Sequence, residues 1–213
     1  MSVKFSKWTI LPAAVLLLGT AAMAQNTSTP STPSTTTPAP APTVGQRKEN
    51  QQDRIAQGVK SGQLTAGETS NLETKEAAIN GETKADRAAN GGKLTSAEKT
   101  QINKQQNGLS KQIYNDKHNA NTAHYGNNEV GQRRENQQDR IAQGIKSGQL
   151  TAGETAKLEN QQKGINQQVK ADRQANGGKL TQGEKQQVNQ EQNGASKNIY
   201  NKKHNANTQH PKK

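Results

Sequence analysis

Cysteine is missing from all 213 residues, so no disulfide and no thiolate chemistry is open to the chain in any compartment. Aromatic residues are nearly as scarce, with one Phe, one Trp and three Tyr. That scarcity excludes an aromatic-rich core and a row of stacking platforms for single-stranded nucleic acid. Long apolar runs are missing as well. The longest spans residues 8–18, too short for the ~20 residues that cross a bilayer, and no integral membrane segment is expected. A hydrophobic content of 27% and a mean hydropathy of −1.14 put the chain near the border between weakly packed and disordered proteins.

What is present begins with an export signal. Lys4 and Lys7 precede the apolar run, and Ala22 and Ala24 supply small residues at the −3 and −1 positions of a cleavage site. Residues 1–24 therefore read as a signal peptide, cut between Ala24 and Gln25, and the mature protein is expected in the periplasm or outside the cell. Without cysteine, lipoprotein anchoring is excluded. Residues 25–43 (QNTSTPSTPSTTTPAPAPT) are Ser, Thr, Pro and Ala after the first three, a composition that cannot bury a core and favours an extended, disordered linker. The formal net charge is +12; the mature chain loses the two leader lysines and stays basic.

From Val44 the chain repeats itself. A shift of 86 residues superposes 44–124 on 130–210 with 58 identities in 81 positions, including VGQR, ENQQDRIAQG, KSGQLTAGET and KHNANT. The organisation expected is a helical module at 44–125, a second at 130–210 and a basic tail at 211–213. A weaker half-period relates Arg54, Gly62, Leu64, Thr65, Glu68 and Leu72 to Arg87, Gly92, Leu94, Thr95, Glu98 and Ile102, which makes four helix-turn-helix corners.

Each corner carries its own stop and start signals. A glycine ends one helix in the left-handed conformation, and Thr65, Thr95, Thr151 or Thr181 caps the next. A glutamate three residues on, Glu68, Glu98, Glu154 or Glu184, completes a capping box. The prediction is all-α: three helices per module, at about 46–60, 66–89 and 96–119 in the first. Apolar residues at Ile55/Val59, Leu72/Ile79 and Ile102/Leu109/Ile113 form a thin stripe on each helix. With so few of them, and with Gly58, Gly81 and Gly108 inside the helices at a cost of about 1 kcal/mol each, packing is expected to be marginal.

The corner GQLTAGE resembles the back half of an EF-hand calcium loop, with Gly62, Leu64, Thr65 and Glu68 at positions six, eight, nine and twelve. The resemblance implies calcium as ligand and Glu68, Glu98, Glu154 and Glu184 as the bidentate carboxylates. The front half departs from the family: its ligand positions fall on Gln57, Val59 and Ser61, and in the second corner on Arg87, Ala89 and Gly91, so a tight site is not expected. The mature chain is also similar to Gln/Asn-rich exported repeat proteins of Gram-negative bacteria, and its composition is similar to that of the hydrophilins, which implies a role in protection against water stress.

Other chemistry is thinner. Each module ends in a Tyr-Asn-x-Lys-His segment that sets His118 and His124, then His204 and His210, six apart. That spacing is not one helix face, and no Cys or acidic cluster completes a zinc or copper set, so solvated tail histidines are expected. No nucleophile elbow, HExxH or phosphate loop occurs, and no enzymatic activity is expected. Lys and Arg are interspersed with Glu and Asp, which argues against specific nucleic-acid binding. The dense basic element is Lys202, Lys203, Lys212 and Lys213, a weak docking point for anionic envelope polymers. The reading is a non-catalytic, hydrophilic repeat protein of the cell envelope, protective or interacting, with calcium binding and polyanion binding as alternatives.

Overall fold

The computed structural model describes residues 40–209. The segment 1–24 expected to be a signal peptide, the expected linker up to residue 39, His210 and the basic tail 211–213 lie outside them. Six helices form in the order α1 (Val44–Lys60), α2 (Ala66–Ala89), α3 (Ser96–Lys117), α4 (Glu129–Lys146), α5 (Ala152–Ala175) and α6 (Gln182–Lys203), and no strand occurs among the described residues. The fold is all-α.

The corners are built as their residues dictate. Thr65, Thr95, Thr151 and Thr181 each accept the backbone N–H of the glutamate three residues on, and that glutamate returns the bond to the threonine N–H. Gly62, Gly92, Gly148 and Gly178 take positive φ (71°, 87°, 68° and 91°). Two boundaries differ from expectation. Thr43, assigned to the linker, is the N-cap of α1 and forms a capping box with Gln46, so the helix begins at Val44. The third helix stops at Lys117, where His118 becomes its C-cap.

The two modules close on one another as equivalents. α1 packs on α4 and α2 on α5, while α3 and α6 touch only helices of their own module. Pairing these two helices with their own copies defines a seam of internal two-fold character. At its centre the Ser70 hydroxyl donates to the carbonyl of Ala156, the residue 86 positions on, at 3.2 Å. The seam also completes the thin stripes, because Ile55, Val59, Leu64, Leu72, Ile102 and Ile113 share one apolar cluster with Ile141, Ile145, Leu150, Leu158 and Ile199. Counting apolar residues module by module leaves that pooling out.

Gly58 corrects a second expectation. A Cβ there would lie 2.6 Å from Leu64 Cδ1 and 2.7 Å from its Cγ, and Gly144 meets Leu150 in the same way. These glycines let the corner leucine, fully buried, lie against the preceding helix. Gly81 and Gly108 have nothing within 4 Å of a Cβ and carry only the propensity cost.

Candidate functional site

The seam is lined by amides and carboxyls as well as by aliphatic residues. Gln51, Gln52, Thr69, Ser70, Glu73 and Glu76 are buried on one side, and Gln137, Gln138, Thr155, Glu159 and Gln162 on the other. Gln51 Nε2 donates to the Gln106 carbonyl at 2.7 Å and the Ser110 hydroxyl at 2.9 Å; Gln137 repeats this to Gln192 and Ser196 at 2.7 and 2.8 Å. Gln52 Nε2 donates to Glu73 Oε2 at 3.0 Å and Gln138 Nε2 to Glu159 Oε2 at 2.9 Å. One amide donor does not replace the water a carboxylate gives up on burial. Burial pushes both Glu73 and Glu159 up to about 8, against the pull of those amides, and the fields of Glu76 and then Glu159 raise Glu73 further. Glu76 is pushed up to about 7 by burial, with Lys48 opposing.

Along the seam run two grooves. One, of about 690 Å³, is lined by Lys48, Lys84 and Arg87 and by the first turn of α5 at Thr151, Ala152 and Gly153. Its counterpart, about 430 Å³, is lined by Arg134, Lys170 and the Tyr125 ring, over which the Arg134 guanidinium stacks at 5.4 Å. Burial, and secondarily the Glu159 carboxylate, raises the Tyr125 hydroxyl. Burial lowers Lys48, although Glu76 opposes it.

The four loop glutamates are engaged with protein donors. Glu68 Oε2 accepts from the Thr65 N–H at 2.9 Å and its hydroxyl at 2.7 Å, while Oε1 accepts from Asn119 Nδ2 at 2.8 Å and Asn121 Nδ2 at 3.1 Å. Glu154 holds Thr151, Asn205 and Asn207 in the same manner. Burial alone would raise Glu68 and Glu154, but these hydrogen bonds outweigh it and both lie below the ordinary glutamate value. Glu98 and Glu184 each hold a threonine N–H and the side-chain amide of Asn90 or Asn176.

The segments that carry the histidines are docked, while His118, His124 and His204 themselves are exposed. Asn119 and Asn121 bind Glu68, and the Ala123 N–H donates to the Gly62 carbonyl at 2.8 Å; Gln209 donates to Gly148 at 2.9 Å in the second module. His118 stacks on Tyr114 and His204 on Tyr200, with ring centroids 4.2 and 4.1 Å apart. Each Nδ1 lies 2.7 Å from the tyrosine carbonyl, which only accepts, so Nδ1 carries the proton. His124 Nε2 pairs with the Thr122 hydroxyl at 2.7 Å, and His210 lies outside the described residues. Among the described residues no group of three or more His, Asp or Glu is placed to hold a metal ion. Lys202 and Lys203 are half-buried in the last turn of α6, where burial and then Arg140 lower Lys203; Lys212 and Lys213 lie outside the described residues.

Sequence reasoning missed two features. The seam carboxyls looked like solvated helix positions, and Tyr114 and Tyr200 were not singled out, yet they are 61% and 57% exposed, the large hydrophobic side chains most open to solvent among the described residues. The fold and these sites define an all-α protein with a set of amides and carboxyls buried between its helices. Comparison with protein-family models, with curated proteins and with solved structures finds no match. No described helix is long and apolar enough to cross a membrane.

Proposed function

We propose that the chain is an exported, non-catalytic protein of the cell envelope that works by interaction, presenting two equivalent contact points to anionic envelope polymers. The observation that carries this reading is the pair of exposed tyrosines. Tyr114 and Tyr200 occupy the same place in the two modules, each stacked on a histidine, each two or three residues from lysine (Lys111 and Lys117; Lys197, Lys202 and Lys203). An amphipathic ring beside cations suits a sugar face carrying acidic groups. The leader, the Pro/Thr linker and the basic charge support the envelope as the place of action.

Cosedimentation of the mature chain with an anionic polysaccharide at about 50 and 200 mM salt tests it. Binding at the lower salt that weakens at the higher, and that falls when Tyr114 and Tyr200 are both replaced by Ala, supports the reading. Equal binding by that double variant refutes the tyrosine contact points. Micromolar calcium binding by calorimetry favours the calcium alternative, which requires Glu68 and Glu154 to leave their present partners. No binding in either assay leaves water-stress protection as the reading to test.

A further inference from the structure

We propose that Glu76 is a proton-binding site between α1 and α2: its carboxyl is held as the neutral acid, its O–H donating to the Gln51 side-chain oxygen, and release of that proton destabilises the fold.

The repeat supplies the geometry. In the second copy Gln162 stands where Glu76 stands in the first, and its amide donates to Gln137 Oε1 at 3.1 Å. Gln137 and Gln51 are anchored alike through their Nε2 atoms, to a backbone carbonyl and a serine hydroxyl of the third helix. In the first copy, however, Gln51 Oε1 and both oxygens of Glu76 are buried without a hydrogen-bond partner. A carboxylate has no hydrogen to give, so an ionised Glu76 leaves acceptors facing acceptors; one proton converts it into the donor that Gln162 already is.

The surroundings of Glu76 oppose one another, and burial decides between them. Glu76 is fully buried. From α1 it faces Lys48, which favours the charged form and is itself flanked by Glu49; α2 contributes Glu73, and across the seam α5 contributes Glu159, whose field acts on Glu73. The third helix presents the Gln106 carbonyl and the Ser110 hydroxyl, which do not titrate. Asn80, one turn along α2, lies close enough to favour the charged form without reaching hydrogen-bond geometry. Burial outweighs Lys48 and Asn80 together, and the group is pushed up to about 7.

The test is reciprocal exchange in the full mature chain. Denaturant unfolding is followed from pH 5 to 8 for wild type, Glu76→Gln and Gln162→Glu. A proton bound by the folded but not the unfolded state raises the unfolding constant about tenfold per pH unit. Glu76→Gln is expected to remove one such tenfold factor per unit between pH 5 and 7, and Gln162→Glu to add one. The carbon-13 resonance of the Glu76 carboxyl in the wild type is read alongside, so a variant that fails to fold leaves the question decidable; it is expected to titrate near neutrality. A Glu76→Gln slope equal to wild type, or a Glu76 carboxyl titrating between 4 and 5, overturns the proposal.

Discussion

Replacing Gly58 by alanine sets two effects of opposite sign against each other. Gly58 lies inside α1, where alanine gains about 1 kcal/mol of helix propensity. The new Cβ, however, would lie 2.6 and 2.7 Å from two carbons of Leu64 and 3.3 Å from Lys117 Cγ. Leu64 has nowhere to retreat, since it is fully buried in the shared cluster and its N–H is bonded to the Gly58 carbonyl at 3.0 Å. Overpacking of this kind costs about 1–3 kcal/mol, and displacing the leucine from the core costs about 2–5. The net expectation is destabilisation by about 1–2 kcal/mol. Gly81→Ala in α2, with nothing within 4 Å of the added methyl, should stabilise by about 0.5–1 kcal/mol. Urea unfolding by circular dichroism separates them: the midpoint should fall for Gly58→Ala and rise for Gly81→Ala, with unchanged slopes. If both variants gain stability equally, Leu64 does not lie against α1 as described.

Three further outcomes follow from the same contacts. Glu73 and Glu159 hold protons when folded, so their contribution is complete below about pH 4.5 and is lost as pH rises toward 8; thermal midpoints should decline over that window, and less steeply for Glu73→Gln. Glu68 and Glu154 have the opposite sign, their carboxylates being favoured in the fold, so that contribution is present above the unfolded glutamate value and lost as pH falls through the lowered one; acid unfolding should begin at higher pH in Glu68→Ala. The same substitution should release the segment after α3, seen as faster hydrogen exchange at the Ala123 amide while α1 amides keep their protection.

The corners were legible because their signals are local. A glycine, a threonine and a glutamate three residues later fix the turn, the cap and the helix start, and all four corners form as that spacing implies. The seam was not legible. Gln51, Gln52, Glu73 and Glu76 are residue types that ordinarily face water, and only tertiary packing, within the module and across the seam, buries them. A trace existed in the repeat for one of them: Glu73 recurs as Glu159 although positions 70, 71 and 74–76 around it differ between the copies. The glutamates of the EF-hand-like corners illustrate the opposite error of scale. Their spacing fitted both a calcium loop and a capping box, and the donors on Asn119 and Asn121, more than fifty residues away, could not be read from the corner. Gly58 likewise counted as a helix breaker until Leu64 was placed beside it.

The central claim is that two equivalent modules close on each other through α1 against α4 and α2 against α5. The most direct measurement is a nuclear Overhauser contact between the side chain of Ser70 and Ala156 in the isotope-labelled mature chain at micromolar concentration, since these residues are 86 positions apart and meet only across the seam. A resolved cross-peak between them, independent of dilution, is the predicted result. Separate module signals with no such contact, under conditions where all six helices are formed, would contradict the account.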